Sequence, residues 1–235
     1  MILSQLIAQK DAYKESLARS FEANRYAWES LKTFSDNWET NALDFSSMYA
    51  RSFENNLSNP LWEGHEYFPK RAMLELIGRD EDLIRRMFQE LFNEKLDIEG
   101  RVDRFVYHCD ALRDDMRRDN PKYQRHYHGG YRMISVYLTF KYPGHYCIYD
   151  YPAWRYFMEA IGAKPIPEEH EIGRFFKVAR TIWKIISKDE ELLELHRRQR
   201  QIHRDIHQND SLLIVWELYT RSQNRTPVPD PLKPL

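Results

Sequence analysis

Four arginines and three histidines fall within twelve residues near the end of the chain, in the segment HRRQRQIHRDIH from His196 to His207. Arginine side chains form paired hydrogen bonds with phosphate oxygens, and several arginines on one helix can follow a nucleic-acid backbone. The segment therefore predicts phosphate contact, with a solvated, charged helix face as the alternative. The residues predicted to contact phosphate are Arg197, Arg198, Arg200 and Arg204.

The same segment also admits acid–base chemistry. Arg198 and His203 are separated by four residues, which fits the arginine–histidine spacing of ribonucleases of the HEPN kind. Histidine can act as an acid or a base on a ribose 2′-hydroxyl. Because this spacing is short and arises often by chance, ribonuclease activity is kept as an alternative only, and no residue is predicted to be catalytic.

A second group of basic and aromatic residues lies in RHYHGGYR, from Arg125 to Arg132. On single-strand-binding surfaces, aromatic rings stack on bases while arginines hold phosphates. We therefore predict that Arg125, Tyr127 and Arg132 form a second nucleic-acid surface. A charged surface loop is the alternative, since acidic residues precede this segment.

Some of these residues could also bind metal. His126 and His128 lie two residues apart, and His145 and Cys147 follow further along the chain. Zinc accepts histidine and cysteine ligands, but this spacing lacks the compact ligand pairs of structural zinc motifs. We therefore predict no metal and no cofactor. Cys109 is predicted to be a small, buried apolar residue on a helix face.

Helices must position these residues, because apolar side chains recur at helical spacing along most of the chain. The prediction is an all-α, multi-helix bundle with at most one short β element, at residues 146–151. Asp210 is predicted to cap the last helix. The predicted helices cover residues 3–31, 41–53, 69–77, 81–92, 98–118, 172–186, 190–207 and 211–219, with two more on either side of the turn at residues 142–144, whose aromatic neighbours are predicted to be core.

Composition restricts the classes of function. The chain has 35 lysines and arginines against 36 acidic residues, so any nucleic-acid binding must use a local patch. The sequence has no P-loop, dinucleotide-binding or zinc-protease motif. Two cysteines outside a CxxC motif, and no run of about 20 apolar residues, predict a cytoplasmic protein with no membrane partner.

Turn residues near residue 58 predict a domain boundary. We expect an N-terminal amphipathic helical hairpin (1–58), a main helical domain (59–225) and a proline-rich, disordered tail (226–235). The apolar stripe of residues 3–31 is expected to pack within the chain, with homo-oligomerisation through this stripe as the alternative.

Three blocks of the sequence, in order, resemble the region that precedes the motor domain in McrB-like AAA+ proteins, the NTP-driven subunits of modification-dependent restriction systems. The blocks are YFPKRAMLELI (67–77), LIRRMFQELFNEKLDIEGRVDRF (83–105) and ISVYLTFKYPGHYCIYDY (134–151). The resemblance implies a recognition or adaptor region of a DNA-targeting antiviral defence system, here without the motor. It implies DNA and a separate AAA+ subunit as partners. We therefore expect a non-catalytic module that binds nucleic acid, a partner ATPase, or both.

Overall fold

The apolar periodicities of the sequence correspond to ten helices in the residues that the structure describes. The structure is a computed structural model and describes residues 1–54 and 61–223, except the side chains of residues 18–20 and 222–223. In these residues there is no β-strand, only one antiparallel bridge between Gly64 and Tyr67. The all-α prediction is confirmed. The helices are α1 (Leu3–Asn37), α2 (Phe45–Ser52), α3 (Pro69–Arg79), α4 (Glu81–Leu91), α5 (Ile98–Asp119), α6 (Arg132–Lys141), α7 (Tyr151–Ala160), α8 (Ile172–Ile186), α9 (Glu190–Gln201) and α10 (Leu213–Gln223).

Aspartates and a proline fix several helix ends. The side chains of Asp80, Asp97 and Asp189 each accept a hydrogen bond from the backbone N–H three residues on, which caps α4, α5 and α9. Helix α6 ends at Lys141, immediately before the Tyr142-Pro143-Gly144 turn, as the sequence predicts. These local signals place the helices that carry the candidate sites.

Helix α9 is shorter than predicted, because it ends at Gln201 instead of continuing to His207. The side-chain amide of Gln208 donates to the backbone carbonyls of Arg200, His203 and Ile206. The backbone N–H of His207 donates to the carbonyl of Trp28 in α1, at 3.1 Å. Residues 202–207 are therefore held by contacts with α1 and with the Gln208 side chain, and they do not continue the helix.

Residues 146–151 were predicted as a short β element, but residues 146–150 form no strand and Tyr151 begins α7. Side chains satisfy this backbone instead. The Tyr149 N–H donates to Ser135 Oγ at 2.8 Å, and the Tyr219 hydroxyl donates to the Ile148 carbonyl at 2.6 Å. Tyr146, Tyr149 and the neighbouring Trp154 are buried, so the prediction that this aromatic group is core is confirmed for these three.

One hydrophobic core joins α1 and α2 to the later helices. Helix α1 contacts α2, α6, α9 and α10. In its apolar stripe, Leu17, Phe21, Trp28 and Leu31 are buried within the chain, whereas Leu3 and Ile7 are exposed. The predicted boundary near residue 58 and the tail at 226–235 lie outside the described residues, but helices from both sides of that boundary share this core. Among the described helices, none is long and apolar enough to cross a membrane.

Candidate nucleic-acid interface

The predicted arginine cluster of α9 is divided between the core and the surface. Arg200, predicted to contact phosphate, is fully buried and so has no surface to offer a phosphate group. Its guanidinium group donates to Asp210, lies 3.2 Å from His196 Nδ1 and stacks over Trp28 at 4.8 Å. Asp210, predicted as a helix cap, is thus used as the ion-pair partner that allows this arginine to be buried.

His196, also on α9, belongs to a buried polar network that joins α1, α9 and α10. The carboxylate of Glu217 accepts hydrogen bonds from Trp28 Nε1 at 2.6 Å and from the Tyr13 hydroxyl at 3.0 Å. The Tyr13 oxygen also lies 2.8 Å from His196 Nε2. Burial alone would raise the pKa of Glu217, but His196, Arg221 and Trp28 hold this pKa below its usual value. The network therefore keeps a charged carboxylate inside the bundle and fixes the packing of three helices.

The other arginines of α9 are mostly paired. Arg197 binds Asp210 at 2.6 Å, and Arg198, whose side chain is 67% exposed, binds Glu194 at 2.9 Å. Arg204 lies beyond the end of α9 and is exposed. The structure thus brings Arg197 and Arg200 together on one aspartate, and it leaves Arg198 and Arg204 as the solvent-exposed members of the predicted set.

The arginine–histidine pair of the ribonuclease alternative does not share a helix, because His203 lies beyond Gln201. His203 Nε2 lies 2.9 Å from a carboxylate oxygen of Glu22, and its ring stacks on Phe21. Arg198 binds a carboxylate on its own helix. The two residues therefore have separate partners, and His203 connects the segment after α9 to α1.

The second predicted surface borders two grooves. Residues 120–131, here called the α5–α6 loop, line a groove of about 650 Å³ with α3, and part of the same loop lines another of about 310 Å³ beside α5. Arg125 and Tyr127 line both. The basic and aromatic residues of the first groove are Arg71, Lys122, Arg125, Phe68, Tyr123 and Tyr127, and those of the second are Arg113, Arg125, Arg132, Tyr67, Tyr127 and His126.

Positive charge exceeds negative charge along these grooves. Five cationic side chains line them, against the carboxylates of Glu66, Glu75 and Asp110. Arg71 binds Glu75, and Arg113 binds Asp110 at 2.8 Å. Among the described residues, Lys122 and Arg125 have no ion-pair partner, and both are exposed. Their charge is therefore available to an anionic ligand.

The α5–α6 loop alternates between core and groove. His126 and His128 are buried, while Arg125 is exposed and Tyr127 is half-buried. Tyr127 has a positive φ of 63°, and its ring contacts the ring of Tyr67 edge-on at 5.6 Å. The same Tyr67 ring lies under the guanidinium group of Arg132, at 5.6 Å. The structure thus brings all three predicted residues, Arg125, Tyr127 and Arg132, to the smaller groove.

The buried histidines of the loop meet Cys109 from α5. The ligand atoms of Cys109, His126 and His128 all lie within 4.8 Å of one another. The sequence had associated these histidines with His145 and Cys147, but His145 is exposed and Cys147 donates to the carbonyl of Leu212. Helical periodicity correctly predicts that Cys109 is buried, and only the loop's return to α5 places it beside the histidines.

Comparisons of this chain with protein-family models, with curated proteins and with solved structures found no match. The basis for a functional assignment is therefore the geometry of the chain itself. That geometry consists of an all-α core, a stabilising polar network at α9, and two connected, cationic and aromatic grooves at the α5–α6 loop.

Proposed function

We propose that this protein is a non-catalytic recognition module that binds single-stranded nucleic acid along the two grooves of the α5–α6 loop. The observation that carries the proposal is that Arg125 and Tyr127 line both grooves. A cation and an aromatic ring thus lie at the junction of two clefts, where a strand can pass from one to the other.

The chemistry of these side chains suits a single strand better than a duplex. Unpaired bases stack on aromatic rings, and exposed lysine and arginine side chains contact the backbone phosphates. Tyr123 and Tyr127 offer rings, while Lys122 and Arg125 offer charges not neutralised by other described residues. A duplex presents its bases only in the grooves, so these rings would have no base face to contact.

The resemblance of three sequence blocks to the pre-motor region of McrB-like AAA+ proteins supports a place in a DNA-targeting defence system. In this proposal the ligand is DNA and a separate AAA+ subunit supplies NTP hydrolysis, because the chain has no P-loop. The burial of Leu17, Phe21, Trp28 and Leu31 supports packing of the α1 stripe within the chain, while the exposed Leu3 and Ile7 keep oligomerisation through residues 3–31 as the alternative.

Fluorescence anisotropy with labelled single-stranded DNA, duplex DNA and single-stranded RNA of equal length tests the proposal. The double variant Lys122→Ala/Arg125→Ala should weaken single-strand binding by about tenfold or more, since each charged hydrogen bond contributes roughly 1.5–3 kcal/mol. The matched control is Arg198→Ala/Arg204→Ala, which removes the same charge from exposed positions near α9.

The control variant should change affinity by less than about twofold, and binding by the wild type should weaken steeply as salt concentration rises. Equal losses in the two double variants would mean that only net charge matters. Failure of the wild-type protein to bind any of the three probes would reject the proposed function.

A further inference from the structure

Three metal-binding side chains from two separate segments meet in the core. Cys109 lies on α5, and His126 and His128 come from the α5–α6 loop; none of the three is more than 4% exposed. Their ligand atoms lie within 4.8 Å of one another. The two histidines reach Cys109 from a loop that otherwise faces solvent, so an isolated apolar contact does not account for the cluster.

These separations are close to those of a tetrahedral metal site. Zinc–sulfur and zinc–nitrogen distances of about 2.3 and 2.0–2.1 Å place the ligand atoms about 3.4–3.6 Å apart. The ligand atoms, which lie within 4.8 Å of one another, therefore reach these separations by movements of roughly 1 Å, within the range of side-chain rotation. A thiolate with two imidazoles is a donor set that suits zinc and related divalent ions.

Both histidines also have the outer partners that metal-bound imidazoles use. His126 Nε2 lies 3.0 Å from Asp110 Oδ1, and His128 Nε2 lies 2.9 Å from the Tyr137 hydroxyl. The Tyr137 hydroxyl is in turn 2.7 Å from that of Tyr49. Such contacts are of the kind that orient metal-bound imidazole rings. The Nδ1 atoms also have hydrogen-bond partners, since the His128 N–H donates to His126 Nδ1 and His128 Nδ1 contacts the His126 carbonyl. One nitrogen atom of each ring must therefore exchange its present contact for the ion.

We propose that Cys109, His126 and His128 bind one divalent transition-metal ion, preferably Zn²⁺, through one sulfur and two nitrogen atoms. Binding converts the Cys109 thiol to a thiolate, and the released proton passes to solvent. His126 and Asp110 line the smaller groove, which gives the ion a path from solvent and admits water as a fourth ligand. The ion would fasten the α5–α6 loop to α5, whatever ligand occupies the grooves.

Cobalt substitution tests this proposal. The full chain, without an affinity tag, is reduced, stripped with a chelator and titrated with Co²⁺. We expect one Co²⁺ per chain, with the near-ultraviolet thiolate-to-cobalt absorption band and the intense visible bands of a tetrahedral site, both removed by added Zn²⁺. Elemental analysis should find one zinc per chain in the reconstituted protein. Failure of the wild-type chain to take up either ion stoichiometrically overturns the proposal without any variant.

The two buried cysteines give a matched control. Cys109→Ser and His128→Gln should lose the sulfur-to-cobalt band or weaken metal affinity by more than tenfold, whereas Cys147→Ser and His145→Gln should bind as the wild type does. Tyr137→Phe, which removes only an outer partner, should weaken affinity by about tenfold. A band that survives Cys109→Ser, or that disappears in Cys147→Ser, contradicts the assignment. Because none of these measurements uses nucleic acid, the metal proposal and the proposed function can fail separately.

Discussion

The end of α9 and the α5–α6 loop both contain arginine and histidine, but they place their arginines differently. In α9 the arginine at position 200 is buried, and its neighbour Arg197 binds the same aspartate. In the loop the histidines are buried, and Arg125 faces solvent. The comparison teaches that basic density in a sequence does not predict a basic surface.

The difference follows from where the carboxylates lie. Asp210 and Glu217 reach α9 from elsewhere in the chain and compensate its arginine and histidine inside the bundle. No described carboxylate pairs with Lys122 or Arg125 on the loop. The denser basic segment therefore stabilises the fold, and the sparser one is available for binding.

The largest effect that would sharpen this comparison is expected for Arg200→Ala. The change removes a fully buried side chain and one of the two arginines that bind Asp210, and we expect it to lower the free energy of unfolding by about 2–4 kcal/mol. Arg198→Ala, which removes one exposed ion pair, should change it by less than about 1 kcal/mol. Urea unfolding followed by tryptophan fluorescence measures both. Equal effects would mean that the burial of Arg200 contributes nothing to stability.

An intermediate effect is expected for Tyr127→Leu. Loss of a ring that stacks on a base should weaken single-stranded DNA binding by about 1 kcal/mol, or roughly fivefold. Tyr107→Leu is the matched control, because Tyr107 is exposed on α5 and lines neither groove. Anisotropy titration measures both variants, with circular dichroism to verify their folding. Unchanged binding by Tyr127→Leu would remove stacking at this position from the proposal.

The smallest effect is a pH dependence at Asp210. Burial alone would raise the pKa of this carboxyl group, but hydrogen bonds from Arg197 and Arg200 hold the pKa below its usual value. A carboxyl group with a lowered pKa stabilises the folded state above its unfolded-state pKa, and this contribution is lost as pH falls through the folded-state value.

The free energy of unfolding of the wild type should therefore decrease as pH falls below about 4. In Asp210→Asn the decrease should be less steep, since the other carboxyl groups with lowered pKa values still titrate. Urea unfolding at a series of pH values measures both slopes. Identical slopes in the two proteins would contradict the ion pairing of Asp210.

Much of the fold could be predicted because its signals are local. The apolar spacing of residues 172–186 gives the bounds of α8 correctly, and the proline and glycine after Tyr142 end α6. The end of α9 could not be predicted in this way. It depends on Trp28, far away in the sequence, whose backbone carbonyl accepts a hydrogen bond from the N–H of His207.

The candidate site was predicted only in part, for the same reason. Arg125, Tyr127 and Arg132 were found from their types and spacing, but the grooves also require Tyr67, Phe68 and Arg71, which sequence reasoning missed. These residues lie at the start of α3 and reach the loop only through tertiary packing. Their interleaved aromatic and basic types, in YFPKR, were the available signal.

By itself, the sequence determined that this chain folds into helices, where most of them begin and end, and that Cys109, Tyr146, Tyr149 and Trp154 are buried. Those properties depend on backbone geometry and on the burial of apolar area, which act within a few residues. Only the tertiary structure decided which arginines are neutralised and which side chains meet Cys109. Charge pairing and metal-ligand geometry depend on distances of a few ångströms between separate segments, and packing alone sets those distances.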